Sequence, residues 1–189
     1  RAALWRGHTQ GDEASLQEAV ASEDPMTRLG ALSALGVMQA QQGRVEQALE
    51  LHRQALAGVR QLADTDGAAR MLNNLGATFE RAGELPESMR CFHDAVALAL
   101  SLGDPDLLAT SRLNLGEMMR RTGALGSFRR IVSDVLAQPE LSRRHRAAAF
   151  HRRVDLEVAC GRTEEAIRWA ERAASEWEGA GDDVNASFA

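Results

Sequence analysis

The stretch LNNLGATFERAG at residues 72–83 returns as RLNLGEMMRRTG at residues 112–123. Asn74, Leu75, Gly76 and Gly83 of the first fall on Asn114, Leu115, Gly116 and Gly123 of the second, 40 residues on. Gly36 joins Gly76 and Gly116 at the same step. Gly43 joins Gly83 and Gly123, and Gly161 follows 38 residues later. Ala55 and Ala95 keep the step, as do Asp64 and Asp104. A fixed period of this length implies a chain of like units, each burying its apolar face only against its neighbours.

The pattern inside a unit is helical. Leu72, Leu75 and Phe79 fall at i, i+3 and i+7, one face of a helix. Gly83 ends that helix, because a residue without Cβ tolerates the left-handed stop. A second helix follows, with Met89, Phe92, Val96 and Leu100 expected along its buried stripe and Pro86 in its first turn. Gly103-Asp104-Pro105 closes the unit, with Asp104 placed to cap the next helix. Composition agrees: four prolines, no tyrosine and abundant Ala, Leu, Glu, Gln and Arg favour helix. Gly76, inside a helix, costs about 1 kcal/mol relative to Ala, so it implies a close approach by the second helix of its own pair.

A helix pair with Leu-Gly in its first helix, a glycine turn seven residues on, then a small residue and an aromatic, resembles the tetratricopeptide repeat (TPR). Counting from Leu29, the family's small eighth position falls on Gly36, Gly76 and Gly116, and its fifteenth on Gly43, Gly83, Gly123 and Gly161. The small twentieth position is Ala48, Ser88 and Ala166, but Phe128 in the third unit. The aromatic twenty-fourth is Phe92, with His52, Val132 and Ala170 departing from it. Val154 stands where the fourth unit should have glycine, which implies a splayed or shifted pair. The 40-residue period exceeds the usual 34 of the family, so the helices are about a turn longer. It resembles arrays in bacterial regulators of the maltose-activator type, kinesin light chains and cell-polarity adaptors.

The resemblance implies an all-α fold, a right-handed α-α superhelix of antiparallel helix pairs. Residues 1–24 read as a degenerate helix pair, and residues 25–180 as an array of about four units (25–64, 65–104, 105–140 and 141–180). Residues 181–189 read as the start of a further, truncated unit, which makes the sequence a piece of a longer array or multidomain protein.

The same resemblance implies a concave groove lined by the first helix of each pair. Its positions fall on Arg70, Asn73, Asn74, Arg81, Asn114, Glu117, Arg121, His151, Arg152 and Asp155. An asparagine ladder can hydrogen-bond the backbone of an extended peptide without reading its sequence, and arginine forks beside it select carboxylates. The competing reading is that Asn74 and Asn114 only bond the neighbouring helix. The expected work is protein or peptide binding, acidic segments preferred, as the scaffold or sensor part of a larger cytoplasmic bacterial signalling or transcriptional regulator. Alternatives are self-association, as a homodimer through terminal repeat faces, and a nucleic-acid contact through the Arg-rich region 120–153.

That region carries nine arginines against three acids between residues 117 and 153, a local +6 in a chain of net charge −5. No aromatic interleaves with these arginines, so a base-stacking platform is missing and nucleic acid ranks below an acidic peptide. All 22 basic residues are arginine. No enzyme is expected: no phosphate loop, nucleophile motif or zinc spacing occurs among the two cysteines and five histidines, so neither cofactor nor metal is implied. No apolar run is long enough for a transmembrane helix, and unpaired cysteines suit a reducing compartment.

Overall fold

The computed structural model describes residues 13–181. Among them nine helices follow one another: α1 (Glu13–Val20), α2 (Pro25–Gln41), α3 (Val45–Gln61), α4 (Thr65–Ala82), α5 (Leu85–Leu102), α6 (Pro105–Arg121), α7 (Leu125–Leu136), α8 (Arg143–Ala159) and α9 (Thr163–Gly179). Successive helices pack as antiparallel pairs, α2 with α3, α4 with α5, α6 with α7 and α8 with α9. The chain divides into two compact units between Leu102 and Gly103. Most of the expected N-terminal helix pair, and the truncated unit beyond Gly181, lie outside the described residues.

Short signals set the helix ends. The Asp24 carboxylate accepts from Thr27 N at 2.9 Å at the start of α2, and Asp64 accepts from Gly67 N at 2.9 Å at the start of α4. Asp104 accepts from the amides of Asp106 and Leu107 at 2.9 and 3.0 Å at the start of α6. Each satisfies amides that a helix start leaves unpaired. Gly83, in the turn from α4 to α5, has φ +81°, where an L side chain is strained. One residue breaks this pattern: Ala63 takes φ +52° at the position that Gly103 holds one period later.

Unit 1 builds its core from Leu29, Leu56, Val59, Met71, Leu72 and Leu75, with Cys91 and Ala95 of α5. A smaller cluster joins Leu16 of α1 to Ala34 and Leu35 of α2. Unit 2 has its own core, in which Leu113, Phe128, Val132, Val135, Leu141 and Leu156 are buried. The stripe expected on α5 is displaced. Phe92 is buried, Met89 and Val96 are half-buried, and Leu100 is 53 % exposed. The buried face runs instead through Ser88, Cys91, Phe92, Ala95 and Ala99. Small residues on that face let α5 lie close to α4, and the larger aliphatics flank it.

Each of the first three pairs places a glycine of its first helix under a ring of its second. A Cβ placed on Gly76 would come within 2.7–3.0 Å of the Phe92 ring, which is 1 % exposed. On Gly36 it would meet the His52 ring at 2.6–2.9 Å. On Gly116 it would meet Phe128 at 3.1 Å and Ile131 at 3.2 Å. In the third pair the ring therefore comes from the twentieth position of the unit rather than the twenty-fourth, where Val132 lies buried. The misfit Phe128 of the sequence is the ring that covers Gly116. In the fourth unit Val154 and Ala170 stand at the glycine and ring positions, both half-buried.

His52 carries a penalty that Phe92 does not. Its ring is fully buried, and neither nitrogen has a hydrogen-bond partner among the described residues. Desolvation by burial lowers its pKa to about 4. The unfolded chain binds that proton near 6.5, so between the two values the unfolded state holds more protons and stability rises with pH. The contribution is fully present above about 6.5, where histidine is neutral in both states. It is lost as pH falls towards 4, by about 3 kcal/mol in total.

The crossings and the open position at Gly30 generate three predictions, each read by reversible thermal or urea unfolding. Gly76→Ala gains about 1 kcal/mol of helix propensity but overpacks the Phe92 ring, so a net loss of about 1–2 kcal/mol is expected. Gly30→Ala, in the exposed face of α2 where a Cβ meets nothing within 4 Å, should gain up to about 1 kcal/mol instead. His52→Phe should raise stability at pH 7 by about 1–2 kcal/mol by removing two buried unpaired nitrogens. It should also flatten the dependence of stability on pH between about 4 and 6.5. An unaltered acid slope in His52→Phe would show that another group governs it.

Candidate functional site

Three first helices, α4, α6 and α8, carry the ten residues that the sequence assigns to a groove. In unit 1, Asn74 of α4 is half-buried and its Nδ2 donates to Ser33 Oγ of α2 at 2.9 Å. The bond spans two neighbouring first helices, so it holds the asparagine in one orientation at their seam. Its Oδ1 has no partner among the described residues. Asn73 does not reach the surface: it is 6 % exposed, and its Nδ2 donates back to Ala69 O at 3.1 Å. Arg70 pairs with Asp66 one turn earlier at 2.9 Å, while Arg81 at the end of α4 is exposed.

In unit 2 the structure gathers Glu117, Arg152 and Asp155. Arg120 Nε and Nη2 donate to both oxygens of Glu117, at 2.9 and 2.6 Å. Arg152 Nη1 reaches Glu117 at 3.7 Å from α8 and Asp155 at 3.2 Å along its own helix. Burial alone would raise the Glu117 carboxyl. The hydrogen bond from Arg120 and the charges of Arg152, Arg120 and Arg121 outweigh it and hold the carboxyl below its ordinary value. Glu117 therefore stays ionised and ties α6 to α8. Asn114 is half-buried on α6, and Arg121 and His151 are exposed. Asn74 and Asn114 belong to different units.

Ser33 and Arg120 were not legible as partners. Each depends on the rotation of one helix against another, which a repeat period does not fix. No sequence motif marks the cluster at the start of α8 either. There Ser142 Oγ lies 2.8 Å from His145 Nδ1 and Asp106 Oδ1 lies 3.2 Å from the same nitrogen, while His145 Nε2 lies 3.0 Å from Thr110 Oγ1. The cluster also includes the hydrogen bond from the Thr110 hydroxyl to Asp106 O at 3.0 Å. What it does is join α6 to α8, helped by Ser142 N donating to Asp106 Oδ1 at 3.0 Å.

The described residues hold no metal-binding cluster and no membrane-spanning helix. No group of three His, Cys, Asp or Glu side chains could hold a metal ion. Burial pushes the Cys91 thiol up, away from the reactive thiolate. No helix is long and apolar enough to cross a membrane.

The tetratricopeptide repeat family model matches residues 27–101. Curated protein sequences give no match. Among solved structures, the chain is similar to a Podosopora anserina protein assigned as a kinesin light chain with nearly identical TPR-like repeats. That likeness has 17% identity and a TM-score of 0.65, over 95% of this chain and 93% of the other. It is also similar to the Rap conjugation gene regulator of plasmid pLS20 in complex with the Phr peptide, at 17% identity and TM-score 0.75, over 90% of this chain and 47% of that one. Aspartyl phosphate phosphatase F from Bacillus subtilis aligns at 12% identity and TM-score 0.78, over 98% of this chain and 51% of the other. The chain thus spans about half the length of these two. At such identities the likeness establishes the fold, an array of antiparallel helix pairs similar to TPR-like repeats, and residues 27–101 carry the match to the tetratricopeptide repeat family.

Proposed function

We propose that the chain is a scaffold or sensor module that binds an extended protein or peptide segment along the exposed faces of its first helices, within a larger bacterial signalling or transcriptional regulator. One observation carries the reading: the same position of α4 and α6 holds a half-buried asparagine, and Ser33 holds the one on α4 in place rather than using it up. A fixed amide with an open carbonyl oxygen can bond a peptide backbone with little loss of rotamer freedom. Support also comes from the likeness to the Rap regulator, whose own structure holds a peptide.

The ligand set differs from the ten groove positions. Asn73 is too buried to take part, and Glu117 acts by orienting Arg120 and Arg152. Acidic character in the ligand is favoured by Arg81 and Arg121, which are exposed. The reading is non-catalytic; the phosphatase activity named for the Bacillus subtilis protein belongs to that protein. We take 25–64, 65–104, 105–140 and 141–180 as the repeat borders.

The test is a peptide selected from a random displayed library on the wild-type chain, then titrated calorimetrically against wild type and the Asn74→Ala/Asn114→Ala variant. The expected loss is roughly 30- to 150-fold, or about 2–3 kcal/mol, from a little over 1 kcal/mol for each hydrogen bond. Unchanged affinity in a variant of unaltered helicity would remove the asparagines from the site.

A further inference from the structure

Away from the first-helix face, unit 2 holds a cleft of about 390 Å³ where α7, the turn into α9, and the facing sides of α8 and α9 meet. Five arginines line it, Arg129, Arg153, Arg162, Arg168 and Arg172, against the two carboxylates of Glu157 and Glu165. So strong a local excess of positive charge contrasts with a net charge of −5 for the whole chain.

The cleft has a fixed floor. Glu157 is 1 % exposed, with Arg153 Nε at 2.7 Å from one carboxylate oxygen and Arg162 Nε at 2.5 Å from the other. Arg162 is hydrogen-bonded to this buried carboxylate and Arg153 is ion-paired with it, and each has Nη groups still to offer. Trp169 forms the wall. The Arg153 and Arg172 guanidinium carbons lie 5.4 and 4.6 Å from its ring centroid, and Phe150 supports it at a centroid distance of 5.5 Å. A guanidinium stacked on an indole is held flat with its hydrogen-bonding edge outward.

Charge is balanced only in part. Glu157 answers Arg153 and Arg162, and Glu165 answers Arg168 at 3.2 Å. Among the described residues, no carboxylate lies within ion-pair distance of Arg129 or Arg172. Arg129 projects from α7 towards the end of α8, its Nη2 3.8 Å from the Cys160 sulfur, and Arg172 stands on α9. Two uncompensated forks on different helices facing one cleft match the two negative charges and several oxygens of a phosphate monoester, since arginine binds phosphate bidentately.

We propose that this cleft is an oxyanion site for a phosphate-monoester dianion, with Arg129 and Arg172 as its principal ligands and the Glu157-anchored Arg153 and Arg162 completing the cradle. The site is separate from the peptide-binding face and does not depend on that reading. Its dianion could be carried by a phosphorylated protein segment or arrive as a free phosphate compound.

The experiment is calorimetric and thermal-shift titration of the chain with inorganic phosphate, and with a short peptide containing one phosphoserine, against sodium chloride at matched ionic strength. Saturable binding of either probe, weakened at least tenfold in both Arg129→Gln and Arg172→Gln, is the expected result. Arg130→Gln, which loses the same charge beside the cleft without lining it, should bind as wild type does and controls for net charge and folding. Tighter binding of the phosphopeptide than of phosphate points to a phosphorylated segment, and equal binding to a free phosphate compound. No saturable binding of either probe by the wild type, or equal weakening in Arg130→Gln, would overturn the proposal.

Discussion

The contact on which the rest of the structure depends is a glycine in the first helix of a pair lying under a ring of the second. Gly36 under His52, Gly76 under Phe92 and Gly116 under Phe128 bring the two backbones close enough for small residues such as Ala48, Ala55, Ser88, Ala95 and Ala99 to be buried between them. Each glycine gives up about 1 kcal/mol of helix propensity, which the burial of a full ring more than offsets. The contact also fixes which residues of the first helix face outward. Once Gly76 and Leu75 point inward, Asn74 lies at the seam beside Ser33, and Arg81 comes to the surface.

The crossing tolerates change of a particular kind. His52 occupies the ring position with two unpaired buried nitrogens, an arrangement that adds acid sensitivity without altering the packing. The third pair keeps the glycine but draws its ring from a turn earlier, on the shorter helix α7. The fourth unit has valine in place of the glycine. What is preserved across the first three pairs is the space above the glycine, filled by whichever ring the second helix can bring.

The helices, their caps and the glycine stops were legible because each follows from local chemistry repeated at a fixed step. Asp64, Asp104, Gly83 and Gly123 act on their own backbone neighbours, and no tertiary knowledge is needed to place them. The faces were less legible. One position of slip on a helix is about 100° of rotation, enough to exchange Leu100 for Ala99 on the buried side and to hide Asn73 behind Asn74. The arginine cleft could not be seen at all. Arg129, Glu157 and Trp169 lie on three helices, and only their packing shows which arginines in a long basic stretch share a cavity and which are neutralised. Charge on the first-helix face of unit 2 is largely paired within the protein, through Glu117 and Asp155, whereas Arg129 and Arg172 in the cleft have no such carboxylate among the described residues.

The most direct test of the glycine–ring contact is a double-mutant cycle between Gly76→Ala and Phe92→Leu, measured by urea unfolding. With the ring present, the added methyl group should destabilise. With the flexible and smaller leucine in its place, the same methyl group should be neutral or stabilising, giving a coupling of at least about 1 kcal/mol. Two additive effects, with Gly76→Ala equally costly in both backgrounds, would contradict the contact as the element that sets the spacing of the helix pair.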